Sequence, residues 1–191
     1  MRITKDNINQ FIKGSLMYCN NMDITKIDFI PESITRLDCS HNKLTELPLL
    51  PDSLKILDCY HNKLTELPLL PDSLEYLDCV SNKLTSLPKL PESLEYLYCR
   101  NNELTSLNKL PDSLVKLSCY NNELTKLPKL PESLEYLDCY NNKLTSLNKL
   151  PNRLRGLNCG SNNLPYKITL DNIKEHNKLI KRKEILSKIC V

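Results

Sequence analysis

Cysteine stands at Cys19, Cys39, Cys59, Cys79, Cys99, Cys119, Cys139 and Cys159, one every twenty residues without slip, and Cys190 alone lies outside the series. A thiol can close a disulfide, ligate a metal, attack an electrophile or fill a core, and spacing discriminates among these. If each cysteine sits on its own strand of a parallel sheet, neighbours lie side by side about 4.8 Å apart and point the same way. A disulfide needs Cβ atoms about 3.8 Å apart and facing each other, and a one-sided column does not converge on a tetrahedral ion. The preferred reading is a small buried hydrophobe. Unpaired thiols in this number suit a reducing compartment, so a cytoplasmic location is expected.

Other chemistry is sparse. His41 and His61 follow Asp38 and Asp58 at the strand ends and could face a metal, but a polar rim is the simpler reading. The chain has three glycines and no glycine-rich phosphate loop. Inward thiols cannot pair with histidine as nucleophile and base, and Cys190 stands at the chain end with nothing to shape a pocket around it. No enzyme activity, cofactor or metal is expected.

The elements that position these residues follow from the repeat itself, which reads L-x-x-L-x-C-x-x-N-x-L-T-x-L-P-x-L-P-x-S. Alternation over Leu57-Asp58-Cys59 predicts a short strand with Leu and Cys inward and Asp on a solvated face. The asparagine, Asn42 through Asn162, is placed to bond backbone of the following turn. The prolines exclude a helix from L-P-x-L-P, so the chain should return as an extended, polyproline-like arm. Ser53, Ser73, Ser93, Ser113 and Ser133 are expected to bond local backbone and turn the chain into the next strand.

On these residues, and on "LTELPLLPDSLKILDCYHNKL" in particular, the unit resembles the short LPX-type leucine-rich repeats of secreted bacterial effectors and similar repeats in large DNA viruses. The resemblance covers roughly residues 14–165. It implies a leucine-rich-repeat solenoid with a parallel β-sheet on the concave face and an extended, polyproline-like convex side. It also implies an intracellular protein-binding role, with a host protein as partner and a host cytosol as location. The chain departs from the pattern in three ways. Cys replaces the usual aliphatic residue or Ala, the amino-terminal helical hairpin is reduced to one short helix, and about 26 residues follow the repeats where some members carry a cysteine ubiquitin-ligase domain.

Comparing units within the chain separates scaffold from face. The Leu, Cys, Asn, Thr and Pro columns barely change. Three columns flanking the inward strand positions vary, and period-2 spacing puts them on one side of the sheet. They hold eight of the nine tyrosines, all but Tyr166. Tyr60, Tyr76, Tyr96, Tyr98, Arg100, Lys116, Tyr120, Tyr136 and Tyr140, with Asp58 and Asp78, are the candidate partner-binding residues. Tyr and Arg are enriched at interface hot spots, but Tyr also favours strands, so a structural ladder of stacked rings stands as the alternative. Asp38, Asp58 and Asp78 adjoin at strand spacing, where like charges repel, and Arg36 and Lys55 are candidates to compensate. Lys89, Lys109, Lys129 and Lys149 form a solubilising column on the convex arm. Residues 85–104 and 125–144 are nearly alike, and Asn108 and Asn148 replace proline in alternate units, so part of the tyrosine pattern reflects duplication in pairs.

A solenoid exposes its core at both ends and needs caps. Residues 1–30 are read as an amino-terminal cap with a helix over Asp6–Lys13 stopped by Gly14, and a degenerate unit in which Met17 and Met22 replace Leu and Asn. Residues 31–165 are the repeats. Residues 166–191 are a basic carboxy-terminal cap, with seven Lys/Arg against three Asp/Glu. Its helix should run from an Asp171 N-cap to about Ile189, with Ile173, Leu179, Ile180, Leu186 and Ile189 on one side and Lys174, Lys181 and Lys188 on another. This helix supports a second reading, a module docking an acidic or membrane surface. No apolar run reaches the length of a membrane span, no signal-peptide h-region is visible, and a net charge of +3 is too small to imply a nucleic-acid partner. A monomer that binds a protein on its concave face is expected.

Overall fold

The computed structural model describes residues 1–189 and shows a leucine-rich-repeat solenoid. In chain order its strands are β1 (Arg2–Ile3), β2 (Ile12–Lys13), β3 (Leu16–Tyr18), β4 (Lys26–Ile27), β5 (Arg36–Asp38), β6 (Ile56–Asp58), β7 (Tyr76–Asp78), β8 (Tyr96–Tyr98), β9 (Lys116–Ser118), β10 (Tyr136–Asp138) and β11 (Gly156–Asn158), and α1 (Ile173–Ile189) follows. Strands β3 and β5 to β11 pair in parallel, each shifted by one repeat, so that Leu37, Leu57, Leu77, Leu97, Leu117, Leu137 and Leu157 are partners in turn. Strand β2 joins the same sheet through an antiparallel hairpin with β3.

The core is a stack of identical layers. Leu54, Leu57, Cys59 and Leu64 are fully buried, as are their counterparts in the central repeats. The L-P-x-L-P segments contain neither helix nor strand. Pro51 and its equivalents are buried and open a turn, in which the Leu54 amide donates to the Pro51 carbonyl at 3.0 Å.

Polar side chains tie the layers together. Asn122 Oδ1 accepts from the Leu104 amide of the preceding repeat at 3.0 Å. Its Nδ2 reaches the carbonyls of Cys99, Cys119 and Tyr120 at 3.1, 3.0 and 3.3 Å. The pattern recurs from Asn42 to Asn162. The asparagine thus serves its own turn, as its position implied, and the previous repeat as well. The serine column departs from expectation. Ser73 Oγ donates to the Asp52 and Leu54 carbonyls at 2.6 and 2.7 Å, and Ser53 and Ser93 do the same one repeat away. These hydroxyls span repeats because the tight turn points each back at the layer below. One residue before each asparagine, His41, His61, Ser81, Asn101, Asn121, Asn141 and Ser161 have φ between 49° and 54°. That left-handed turn favours short polar side chains, and it places His41 and His61 on the rim.

Both caps differ in detail from the sequence reading. In place of a helix over Asp6–Lys13 there is one 3-10 turn, Ile8–Phe11, and then β2. The cause is that Ile8 and Phe11 bury against the core while Gly14, at φ +64°, reverses the chain into the hairpin. Strands β1 and β4 form a second small sheet that buries Ile3 and Ile27. At the other end Thr169 and Asn172, not Asp171, form the capping box, around a 3-10 turn that leads into α1. The helix docks by its first turns. Ile173 and His176 are buried, and Asn177 donates to the Leu150 carbonyl and accepts from the Leu150 amide, both at 2.8 Å. His176 Nε2 lies 3.0 Å from the Asn148 carbonyl and Nδ1 lies 2.8 Å from the Tyr166 hydroxyl. Leu179 and Leu186, expected on the buried side, are exposed, because the docked face runs through His176 and Asn177. The Lys188 and Ile189 side chains and Cys190 lie outside the described set.

Removing the Asn122 amide strands one buried amide and two buried carbonyls. Asn122→Ala is expected to lower stability by about 3 kcal/mol, and Asn162→Ala, in the more exposed last repeat, by clearly less. Urea unfolding followed by circular dichroism measures both, and equal losses would contradict this account of the ladder.

Candidate functional site

The three variable columns lie together on the concave side of the sheet. Register brings Tyr76 beside Tyr96 and Asp78 beside Tyr98. The Tyr76 ring lies 6.1 Å from Tyr96 and 5.5 Å from Tyr98, tilted by 37° and 43°. Lys116 Nζ sits between two further rings, 5.2 Å from the Tyr98 centroid and 5.7 Å from that of Tyr136. The Arg100 guanidinium lies 5.3 Å from the Tyr120 ring. Tyr76, Tyr96, Tyr98, Lys116 and Tyr136 therefore form one chain of contacts across four strands, β7 to β10, with Arg100 and Tyr120 beside it. Tilted rings interrupted by a lysine are not a continuous stack.

Tyr60 belongs elsewhere. It meets His41 and His61 edge-on at 4.8 and 5.6 Å, while those two histidines stack at 4.7 Å. Tyr140 continues the third column at the carboxy-terminal end and is 41% exposed. Between the β8 and β11 ends the face dips into a groove of about 320 Å³, lined by Tyr98, Arg100, Lys116, Tyr120, Tyr136 and Asp138 among others. Gly156 leaves room for the Tyr136 ring at the end of this groove, since a Cβ there would lie 2.7 Å from Tyr136 Cδ1 and the ring would have to shift. Sequence reasoning missed this role, although the switch from Tyr136 to Gly156 in one column signals it.

Beside the tyrosines lie the acids. Asp38, Asp58 and Asp78 are register partners on β5, β6 and β7. Asp58 was expected on a solvated face but is only 7% exposed, because Arg36 Nη2 covers it and pairs with Oδ2 at 3.0 Å. Arg36 thus compensates as anticipated, whereas Lys55 pairs with Glu75 at 2.9 Å. Asp38 and Asp78 each accept the amide two residues on, from Ser40 and Val80, at 3.1 Å. Asp138 does the same for Tyr140. These carboxylates fasten strand ends as well as charging the face. On the convex side Lys109 and Lys149 pair with Glu92 and Glu132 at 3.2 and 2.8 Å.

A profile described as Leucine Rich Repeat matches residues 133–157. Among solved structures, a Shigella effector leucine-rich-repeat domain is 29% identical with a TM-score of 0.74, covering 94% of this chain and 84% of that one. YopM, a leucine-rich effector protein of Yersinia pestis, is 34% identical with a TM-score of 0.68, covering 80% and 49%. The chain has the leucine-rich-repeat fold. The functional domain of InlJ from Listeria monocytogenes, described as including a cysteine ladder, is 30% identical with a TM-score of 0.59, covering 83% of this chain and 42% of that one. The chain spans less than half the length of the YopM and InlJ chains it matches. No curated protein matches it.

The column of thiols in this solenoid is core. All eight repeat cysteines are free and buried. Burial pushes the Cys19 thiol up to about 12, and it drives the interior thiols further up, with neighbouring cysteines and aspartates adding to the effect. A thiol held protonated is a poor nucleophile and a poor ligand.

The same physics acts on the acids. Burial pushes the Asp58 carboxyl up to about 6; Arg36 opposes the shift, and Asp38 and Asp78 add to it. Burial also raises Asp78. A carboxyl whose folded pKa lies above its unfolded value favours the folded state at low pH, and that contribution is lost as pH rises from about 4 through about 6. Carbonyl-detected NMR should therefore place the Asp58 midpoint near pH 6, and Arg36→Gln should move it higher. An ordinary midpoint below 4.5, or a downward shift in the variant, would contradict the assignment.

Proposed function

We propose that the chain is a non-catalytic module that binds a partner protein on its concave tyrosine-rich face. One observation carries the reading. Tyr76, Tyr98, Lys116 and Tyr136 form a contiguous patch with Tyr136 at 42% exposure, and the asparagine and serine bonds that join the repeats do not use those side chains. Large aromatics that are partly desolvated yet open to one side are the usual anchors of protein interfaces. A purely structural ladder would stack its rings along the sheet, and here the rings tilt and Lys116 parts them.

Likeness to effector repeats supports a host protein as partner and a host cytosol as the place of action, both by analogy of fold. Monomeric action is part of the same proposal. A second reading has its own observation. Beyond its docked turns α1 exposes Leu179, Ile185 and Leu186 next to Lys181, Arg182 and Lys183, a composition that suits an acidic or membrane surface. No described helix is long and apolar enough to cross a membrane.

Affinity capture with wild type and with a Tyr96→Ala/Tyr98→Ala/Tyr136→Ala variant separates the two. The concave-face reading expects a partner held by wild type and lost by at least tenfold in the variant, with circular dichroism unchanged. Equal capture by both, together with loss on Leu179→Ser/Leu186→Ser, would transfer the function to the helix.

A further inference from the structure

The concave face is divided by charge. Over β5 to β7 it carries Asp38, Asp58 and Asp78 against Arg36 alone. Over β8 to β10 it carries Arg100 and Lys116 against Asp138 alone. The two cations of the second half are set apart by where they lie. Lys43, Lys55, Lys109, Lys143, Lys149 and Arg155 meet a carboxylate within 4.0 Å, and Lys63, Lys83, Lys89, Lys126, Lys129 and Arg153 stand exposed in solvent. Among the described residues, Arg100 and Lys116 meet no carboxylate within 4.0 Å and are only partly exposed. Both lie against tyrosine rings and line the same groove, and Arg100 Nε is buried without a hydrogen-bond partner.

Resting on the concave-face reading, we infer that this groove seats a carboxylate side chain from an acidic segment of the partner protein, with Lys116 and Arg100 as counter-charges and Tyr98, Tyr120 and Tyr136 as walls. The charge balance favours a carboxylate. Asp138 lines the same groove and Asp78 on β7 lies within electrostatic reach of Arg100, so the two cations leave room for at most a single negative charge, and a dianionic phosphate would exceed it. A nucleic acid running along the face would carry its phosphates past Asp38, Asp58 and Asp78 at a repulsive cost. The same acids specify the rest of the segment. Strands are about 4.8 Å apart, so Lys116 on β9 and Asp78 on β7 are separated by about 10 Å, or about three residues of extended chain. A segment lying across the strands is therefore acidic over β8 to β10 and neutral or basic about three residues away. The acids penalise wrong partners as the cations attract right ones.

The test is an amide NMR titration of the full chain with a synthetic peptide of about ten residues, carrying two glutamates and, about three residues on, two lysines. Companion titrations use the same peptide with glutamine for glutamate, and inorganic phosphate. The expected result is saturable shifts at Tyr98, Lys116, Tyr120 and Tyr136. Binding should weaken about fivefold to tenfold with the glutamine peptide and be lost in Arg100→Glu/Lys116→Glu. It should persist in the convex control Lys89→Glu/Lys129→Glu. Unfolding midpoints of both variants keep a folding defect from passing as lost binding. Absence of saturable shifts, equal binding of the glutamine peptide, or equal binding of phosphate alone would overturn the inference. The concave-face reading is judged separately. A captured partner lost in the tyrosine variant but retained by Arg100→Glu/Lys116→Glu would keep the face and remove the anion seat, and a partner retained by both would remove both.

Discussion

Each repeat of this protein is incomplete without the next. A twenty-residue coil containing a three-residue strand cannot satisfy its own backbone, and buried amides and carbonyls left unpaired cost several times the net gain of a hydrogen bond. The asparagine of the following repeat supplies what is missing. Its Oδ1 takes the amide of Leu44, Leu64, Leu84, Leu104, Leu124 or Leu144, and its Nδ2 joins carbonyls of both layers. Strand bonds such as the Cys99 amide to the Ser118 carbonyl, and the serine hydroxyls, run across the same boundary. A slip of one residue would misalign every one of these partners, which explains why the period never varies.

That constraint decides which positions are free. Leu, Cys, Asn and Ser are committed to the layers, so the concave columns, the convex lysine column and the ends are among the positions left free to vary. The cysteine column shows the same economy. A third leucine is replaced by a smaller side chain whose thiol is held protonated by burial. Burial alone keeps such thiols inert, so the column speaks for packing more strongly than for compartment. At the carboxy-terminal end Asn177 offers Leu150 both an acceptor and a donor, and so closes the stack with a side-chain amide where no further repeat follows.

Much of this was legible in the residues because it is periodic. The strand, the inward Leu and Cys, the asparagine and the extended proline arm follow from alternation, period and the chemistry of proline, and the concave patch follows from three columns read in register. What was not legible depended on contacts without a period. Arg36 was legible as a counter-charge to the aspartates, but nothing in the sequence says that it would cover Asp58 and leave it buried. Asp6–Lys13 has helical residues, but tertiary burial of Phe11 and the turn at Gly14 make a hairpin of its second half. The end of α1 nearest the repeats is set by His176 and Asn177, polar residues that an apolar stripe cannot reveal. Serine looked local because turn serines usually are, and the tight coil redirected it to the layer below.

The central claim is that coupling between repeats runs through the asparagine column, and amide hydrogen exchange of the whole chain tests it most directly. The Leu64, Leu84, Leu104 and Leu124 amides should be among the slowest to exchange, while the Leu164 amide, which no following asparagine meets among the described residues, should exchange much faster. Equal protection at Leu144 and Leu164, or rapid exchange along the whole leucine series, would show that the repeats are held together by something else.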